Sequence, residues 1–218
     1  MAKLNNLNST PSLINQFVSE LRSSSIQSDQ LRFRTNLERI GEIIAYEISK
    51  TLDYTTDEVE TSLGIANVDL TTDEVVLATI LRAGIPMHHG MLRYFDKAEN
   101  AFVTAYRKHH KDGTFEINLE NISSPDLNGK ILIICDPMIA TGASLVKSLL
   151  ALMEFGSPKQ IHVATVIAAT PGIEYLMRNL KEVTVWAAAV DDELTARSYI
   201  VPGLGDAGDL AFGEKLYD

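Results

Sequence analysis

The chain holds a single cysteine, Cys135, and a single tryptophan, Trp186. A lone cysteine has no partner for an internal disulfide, so burial and hydrogen bonding have to hold the fold, and its place at the end of an apolar run predicts core filling. Long hydrophobic runs are missing too. The apolar stretches 131–135 and 163–169 fall far short of the roughly 20 residues that a membrane-crossing helix needs. Residues 1–10 are polar, without the apolar stretch of a secretory signal or the arginine-rich character of a transit peptide. A soluble, cytoplasmic protein without a membrane partner is the expectation. Positive charge is scarce: 19 Lys and Arg against 29 Asp and Glu leave a formal charge of -10. Such a surface repels polyanions, which argues against nucleic acid as a partner. A phosphorylated ligand would need local arginines, backbone amides and a divalent cation.

What is present suffices for one substantial core, since 45% of the 218 residues are hydrophobic and 22% charged. One domain over 1–218 is expected, with an N-terminal helical arm over about 1–27 and a glycine-rich C-terminal loop over about 191–218. Leu13, Ile14, Phe17, Val18 and Leu21 recur at helical spacing after Pro11, and Phe33, Leu37, Ile40, Ile44, Ile48 and Leu52 mark a second helix after Asp29. From Val75 the texture changes to short apolar runs alternating with helical patterns. Strands are predicted at 75–81, 101–106, 130–135, 160–168 and 183–190, with helices at about 86–94, 144–155 and 171–180. Thr170 serves as N-cap of the last helix and Pro171 as its first residue. The polar segment 108–128, with Gly113, Pro125 and a brief alternation from Thr114 to Leu119, fits a β flap. The fold class is therefore α/β, a mostly parallel sheet flanked by helices, because runs such as 131–135 are apolar on both faces of a strand.

Ligands of such sheets sit beyond the carboxyl ends of the strands. Three unusual segments fall near that edge: Arg82-Ala83-Gly84, residues 136–144, and residues 199–209. In Asp136-Pro137-Met138-Ile139-Ala140-Thr141-Gly142-Ala143-Ser144, Gly142 and Ala143 allow close backbone approach, and Thr141 and Ser144 supply hydroxyls. The amides that open the following helix face outward as anion donors. Asp136 at the strand tip can accept hydrogen bonds from sugar hydroxyls or hold a hydrated cation. On spacing alone the stretch is equally an ordinary strand-to-helix turn.

Residues 136–144 resemble the phosphoribosyl diphosphate (PRPP) loop of the type I phosphoribosyltransferases, and the Asp-Pro-Met form resembles that of the uracil-specific family. Ile80-Leu81-Arg82-Ala83-Gly84 is similar to the family's pyrophosphate loop, and Tyr106-Arg107 to the strand end that supplies a second arginine. Residues 199–209, Tyr-Ile-Val-Pro-Gly-Leu-Gly-Asp-Ala-Gly-Asp, look like its uracil-binding loop. The resemblance covers about 32–213. It implies the type I phosphoribosyltransferase fold and the transfer of ribose 5-phosphate from PRPP to uracil, giving UMP and diphosphate with Mg²⁺ carried by PRPP. No tightly bound metal is expected. By the same resemblance PRPP is bound by Arg82, Arg107, residues 136–144 and Asp206, with uracil bound by Ile200, Gly205, Asp206 and Ala207. The catalytic set is Asp136, Asp206 and Arg107. A homo-oligomer, a dimer or larger, is expected. GTP activates some relatives, which leaves nucleotide regulation open.

There are departures from the family pattern. Pro137 stands where many relatives carry a second acidic residue, Ala143 where a second glycine is common, and Lys108-His109-His110-Lys111 where an acidic turn is usual. A phosphoribosyltransferase for another base, or a non-catalytic nucleotide-binding regulator of this fold, are the competing readings. Adjacent His88 and His89 point in different directions on a helix and make a poor metal pair. His109 and His110 have no further ligand at metal spacing. Glu58, Glu60, Asp69, Asp73 and Glu74 read as solvated acidic loops.

Overall fold

The computed structural model describes residues 2–109 and 115–215, and for 106–109 and 115–118 the backbone alone. A short strand, β1 (Lys3–Asn6), precedes helix α1 (Leu13–Arg22). Ser12 caps α1 reciprocally: its hydroxyl accepts from the Ile14 amide at 3.3 Å, and its own amide donates to the Asn15 side chain at 3.1 Å. Helix α2 (Gln30–Ser49) starts at Asp29, whose carboxylate accepts from the Arg32 amide at 3.0 Å. A hairpin of β2 (Tyr54–Thr61) and β3 (Gly64–Thr71) follows, then β4 (Val75–Leu81), α3 (Ile85–Leu92), β5 (Glu99–His109) and β6 (Phe115–Ser123). The second half runs β7 (Ile131–Cys135), β8 (Met138–Ile139), α4 (Ala143–Leu152), β9 (Gln160–Ala169), α5 (Thr170–Asn179) and β10 (Val183–Asp191). It ends in β11 (Glu193–Leu194), β12 (Ile200–Val201) and α6 (Ala207–Phe212).

The main sheet has the order β1-β10-β9-β7-β4-β5-β6, with β8 also paired to β9. All its pairings are parallel except β5 with β6, so the predicted flap is an antiparallel extension of the sheet. The strands separate two apolar layers. In β7, Ile131, Ile133 and Cys135 face α1, α2 and α3, packing with Ile14, Leu21, Phe33, Ile44 and Met87. Leu132 and Ile134 face α4 and α5, among Leu145, Leu149, Ile173 and Leu176. Alternate residues of one strand thus serve opposite cores, which is why the run is apolar throughout.

Seven elements were not predicted, among them the two-residue strands β8, β11 and β12. β1 is a polar edge strand with little pattern. β2 and β3 replace the expected acidic loops, for they are exposed along their length and lack the one-sided alternation that marks a packed strand. Asp73 is no solvated loop residue either. Its carboxylate, 5% exposed, pairs with Lys159 at 2.5 Å and accepts the Asp53 amide at 2.7 Å, closing the base of that hairpin. Thr170 is the first helical residue of α5 rather than its cap, and its hydroxyl turns to the Asp191 carbonyl at 3.4 Å. The α6 turn was read as loop.

Two buried histidines are neutral. Trp186 Nε1 donates to His162 Nδ1 at 3.1 Å, which puts the imidazole proton on Nε2, facing Gln160 Oε1 at 3.1 Å. Burial lowers the His162 pKa to about 4. Burial also lowers that of His88, against its hydrogen bond to Asn100 at 2.7 Å. A folded pKa below the unfolded value means that the unfolded chain takes up the proton first as pH falls. The His162 contribution is therefore complete above about pH 6.5 and is lost on descent towards pH 4. From pH 7 to 5 this single group is expected to cost about 2 kcal/mol of stability. Urea unfolding of His162→Asn, which keeps an acceptor for the indole, should show a shallower decline over that range. Equal slopes in both proteins would show that His162 does not govern it.

Candidate active site

Connections from β4 lead through α3 to β5 on one side, while those from β7 lead through α4, β9 and α5 to β10 on the other. β4 and β7 are neighbours, so the connections diverge between them, and that divergence opens a crevice at their carboxyl ends. Arg82-Ala83-Gly84 leaves β4 there, after a cis peptide between Leu81 and Arg82. Asp136 and Pro137 leave β7. The two tips touch: a Cβ on Gly84 would lie 2.2 Å from Thr79 Oγ1 and 2.7 Å from the Cys135 carbonyl oxygen. Only glycine lets the two tips come this close.

Beyond β7 the backbone kinks. The Pro137 carbonyl accepts the amides of both Val166 and Ile167, at 3.1 and 3.0 Å, and pairing with β9 resumes at Met138 and Ile139. Asp136 Oδ1 accepts from the Met138 amide at 3.3 Å. Residues 140–142 then turn into α4. Gly142 adopts φ +77° and lies so close to α5 that a Cβ would meet the Gly172 carbonyl oxygen at 2.6 Å. It is the N-cap of α4 and supplies no side chain to the first-turn amides, of which that of Ala143 reaches Thr141 Oγ1 at 3.4 Å. A helix start of this kind favours an anionic oxygen. Ala143 opens α4 in helical conformation, and Ser198 is the one non-glycine of positive φ among the described residues, so the extra methyl is accommodated without strain.

The C-terminal segment lies against the β4 tip. Arg82 Nη2 donates to Asp209 Oδ1 at 3.2 Å and to the Gly213 carbonyl at 3.0 Å, and Gly208 lies beside Ala83. Asp206 caps α6, its Oδ1 accepting the Gly208 amide at 2.8 Å and the Asp209 amide at 3.0 Å. Ile200 and Ala207 are buried, while Gly205 and Asp206 are exposed at the tip. Arg107 is placed by its backbone: Thr104 pairs with Leu81 at the end of β4, and Arg107 lies three residues further along β5, opposite Ile117. Its side chain, with residues 110–114 of the flap, lies outside the described part. One edge thus gathers residues 82–84, 136–144 and 206–213. Asp209, Arg22 and Asp191 escaped the sequence reading because their partners are far away along the chain. Asp206 followed by Ala-Gly-Asp was a readable N-cap signal for α6.

Other features do not join this site. Two surface hollows lie elsewhere, one on the β2–β3 hairpin at Glu58, Thr61 and Ile65, the other at the opposite edge of the sheet around Asp73, Lys130 and Lys159. Burial pushes the Cys135 thiol far above its ordinary pKa, so it stays protonated and unreactive in the core beside Met91. Among the described residues no helix is long and apolar enough to cross a membrane, and no three His, Cys, Asp or Glu side chains cluster to hold a metal.

Known proteins share this sequence pattern and fold. The family model for uracil phosphoribosyltransferase matches residues 8–214. A uracil phosphoribosyltransferase of Porphyromonas gingivalis is 53% identical over 206 residues, covering 94% of this chain and 95% of that protein. One from Pyrococcus furiosus is 39% identical, covering 93% and 87%. The solved structure of a protein from Aquifex aeolicus superposes with a TM-score of 0.86 at 30% identity, covering 98% of this chain and all of that one.

The left-handed turn at Gly142 carries a prediction for stability. Gly142→Ala should lower the unfolding free energy by roughly 1 to 3 kcal/mol, since it adds a backbone penalty and a contact with the Gly172 carbonyl. Chemical denaturation of purified variant and parent measures it, and unchanged midpoints would mean that the turn relaxes freely.

Proposed function

The chain belongs to the uracil phosphoribosyltransferase family, and from that premise we propose that it is a pentosyltransferase of pyrimidine salvage that converts uracil and PRPP to UMP and diphosphate. One observation carries this reading: the Arg82 loop lies against the 136–144 strand tip on one side and against the C-terminal segment 206–213 on the other, at the edge between β4 and β7. A diphosphate, a sugar phosphate and a small planar base can be held there side by side. The residue assignments follow from the resemblance. The 5-phosphate is bound by residues 137–144, chiefly the first-turn amides of α4 with Thr141 and Ser144, the ribose by Asp136, the diphosphate by Arg82 and Arg107, and uracil by Ile200, Gly205, Asp206 and Ala207.

In the reaction N1 of uracil forms its bond to the anomeric carbon as the bond to diphosphate breaks. The leaving group keeps the electron pair, the N1 proton is released, and positive charge develops on the ribose. Guanidinium groups suit the departing anion because they stay charged and offer planar, paired donors. Asp136 orients the ribose hydroxyls. Exclusion of water falls to the flap built on β5 and β6. The oxygen donors at this edge, Asp136 and Asp206, fit Mg²⁺ that arrives on substrate phosphates rather than in a protein cage. When bound, Mg²⁺ would neutralise the diphosphate charge. Asp206 Oδ1 is engaged in the α6 cap, and we assign the rest of its carboxylate to PRPP and its metal.

The same reading takes the protein as one cytoplasmic domain that works as a homo-oligomer. Support for a single domain comes from Ile14, Val18 and Leu21 of α1 packing in one cluster with Leu204 and Ala207. Support for an oligomer comes from the β2–β3 hairpin, which exposes Val59, Leu63, Ile65, Val68 and Leu70 although a lone two-stranded hairpin is marginal in water. Light scattering on purified protein tests that, and a monomer would overturn it.

Assayed with PRPP, Mg²⁺ and a panel of bases, the protein should make UMP from uracil and little product from cytosine or purines. A mismatched base leaves buried polar groups unpaired, at about 1 to 3 kcal/mol each. Efficient turnover of adenine or hypoxanthine would reassign the substrate. EDTA should abolish activity, and the purified protein should carry no stoichiometric metal. Two variants separate the roles of Asp206. Asp206→Asn keeps a good cap but loses the charge, so turnover should fall about 10- to 150-fold with little change in the unfolding midpoint. Asp206→Ala should show the same kinetic loss and an added destabilisation of about 1 kcal/mol. Full activity in Asp206→Asn would leave the residue only a capping role.

A further inference from the structure

The base loop makes almost no regular structure of its own. Between β10 and α6 its only pairing is the two-residue ribbon of β11 and β12. Something else must hold its backbone, because a base read by main-chain amides and carbonyls needs those groups fixed to a fraction of an ångström. The contacts that do this come from the N-terminal arm. Arg22, the last residue of α1, donates through Nη2 to Asp191 Oδ1 at 2.6 Å and through Nη1 to Asp191 Oδ2 at 2.8 Å. The same Nη1 donates to the Gly203 carbonyl at 3.0 Å. Asp191, at the end of β10, accepts the Gly203 amide on Oδ2 at 3.0 Å. Both main-chain polar groups of Gly203 are therefore held by one fork-to-fork ion pair, whose carboxylate is 5% exposed. Five residues on, the Gln27 amide, in the orientation that satisfies both its atoms, donates to the Leu21 carbonyl at 3.0 Å and the Leu204 carbonyl at 2.8 Å.

We infer that Arg22, Gln27 and Asp191 are positioning residues that set base affinity: the N-terminal arm holds residues 203–204 of the base loop in register with the phosphate loop. This rests on the functional reading above. The charge pair is suited to the task because its part-buried guanidinium and buried carboxylate each have fixed partners, so the pair tolerates little displacement. The phosphate loop at 136–144 hangs from β7 and α4, which these contacts do not touch. Loss of the clamp should therefore fall on uracil and spare PRPP.

The test compares Arg22→Lys, Gln27→Ala and the control Arg32→Lys. Arg32 also forms a forked pair between the arm and α2, to Glu20 at 2.7 and 2.9 Å, without reaching the base loop. Lysine keeps the charge beside Asp191 but cannot hold both the carboxylate and the Gly203 carbonyl in one plane. Gln27→Ala removes no charge and provides a second probe where Arg22→Lys folds poorly. KM for uracil is expected to rise about tenfold in Arg22→Lys and a few-fold in Gln27→Ala, the scale of one or two lost hydrogen bonds. KM for PRPP and kcat should stay within about twofold, and Arg32→Lys should match the parent. Amide exchange of peptides spanning 199–209 should quicken in the first two variants and not in the control. An unchanged KM for uracil, equal changes for both substrates, or the same effect in Arg32→Lys would overturn the inference. A parent protein that does not turn over uracil would refute the functional reading instead. The exchange measurement then still decides the clamp, and unaltered exchange at 199–209 would refute it.

Discussion

Gly84 lies against the Cys135 carbonyl and the Thr79 hydroxyl at separations that admit no side chain, and the candidate site depends on that approach. It brings the ends of β4 and β7 together where the connections part to opposite sides of the sheet. Arg82 then leaves one strand and Asp136 the other, at one edge of the sheet. A methyl at this point would part the two tips and with them the cation and the carboxylate. The second close approach, Gly142 against Gly172, does the same for the phosphate loop and α5, so backbone contacts without side chains set both walls of the crevice.

An acidic protein that handles a diphosphate has to localise its positive charge. Here that is done by tethering. Arg82 is held by Asp209 and the Gly213 carbonyl, and Arg34 of α2 donates to the Ala211 carbonyl at 2.7 Å, so the C-terminal helix is fastened from two sides by cations. Arg22 does the same for the loop that precedes it. Each of these guanidinium groups meets carbonyl oxygens of the chain's end, and fixing that end is as important as the charge itself. The buried titratable groups elsewhere have the opposite character. His162, His88 and Cys135 are kept uncharged by burial and take no part in the chemistry. Their effect is on how stability varies with pH.

Much of the architecture was legible because periodic burial leaves a mark on sequence. The stripes of α1 and α2, the all-apolar β7 and the glycine-bearing turn after Asp136 were each read at nearly their observed bounds. β2 and β3 were not legible, since neither face of that hairpin packs on the core and no alternation records it. Thr170 was misread as a cap because its type suits one, whereas its hydroxyl has a partner in Asp191, 21 residues on. The site motifs at 82–84, 136–144 and 199–209 were legible as local strings of glycine, hydroxyl and charge.

Local composition and spacing by themselves therefore determined the α/β class and the helices and strands whose faces are buried, because those properties belong to neighbours in the chain, while phosphate and base were assigned to the three loops by their resemblance to a family. Only the tertiary structure decided that residues 82–84, 136–144 and 206–213 share one edge, that Arg82 is tied to Asp209, and that Arg22, Gln27 and Asp191 grip Gly203 and Leu204. Those contacts join residues from 12 to 181 positions apart, and their energies depend on distances that only the packed core fixes.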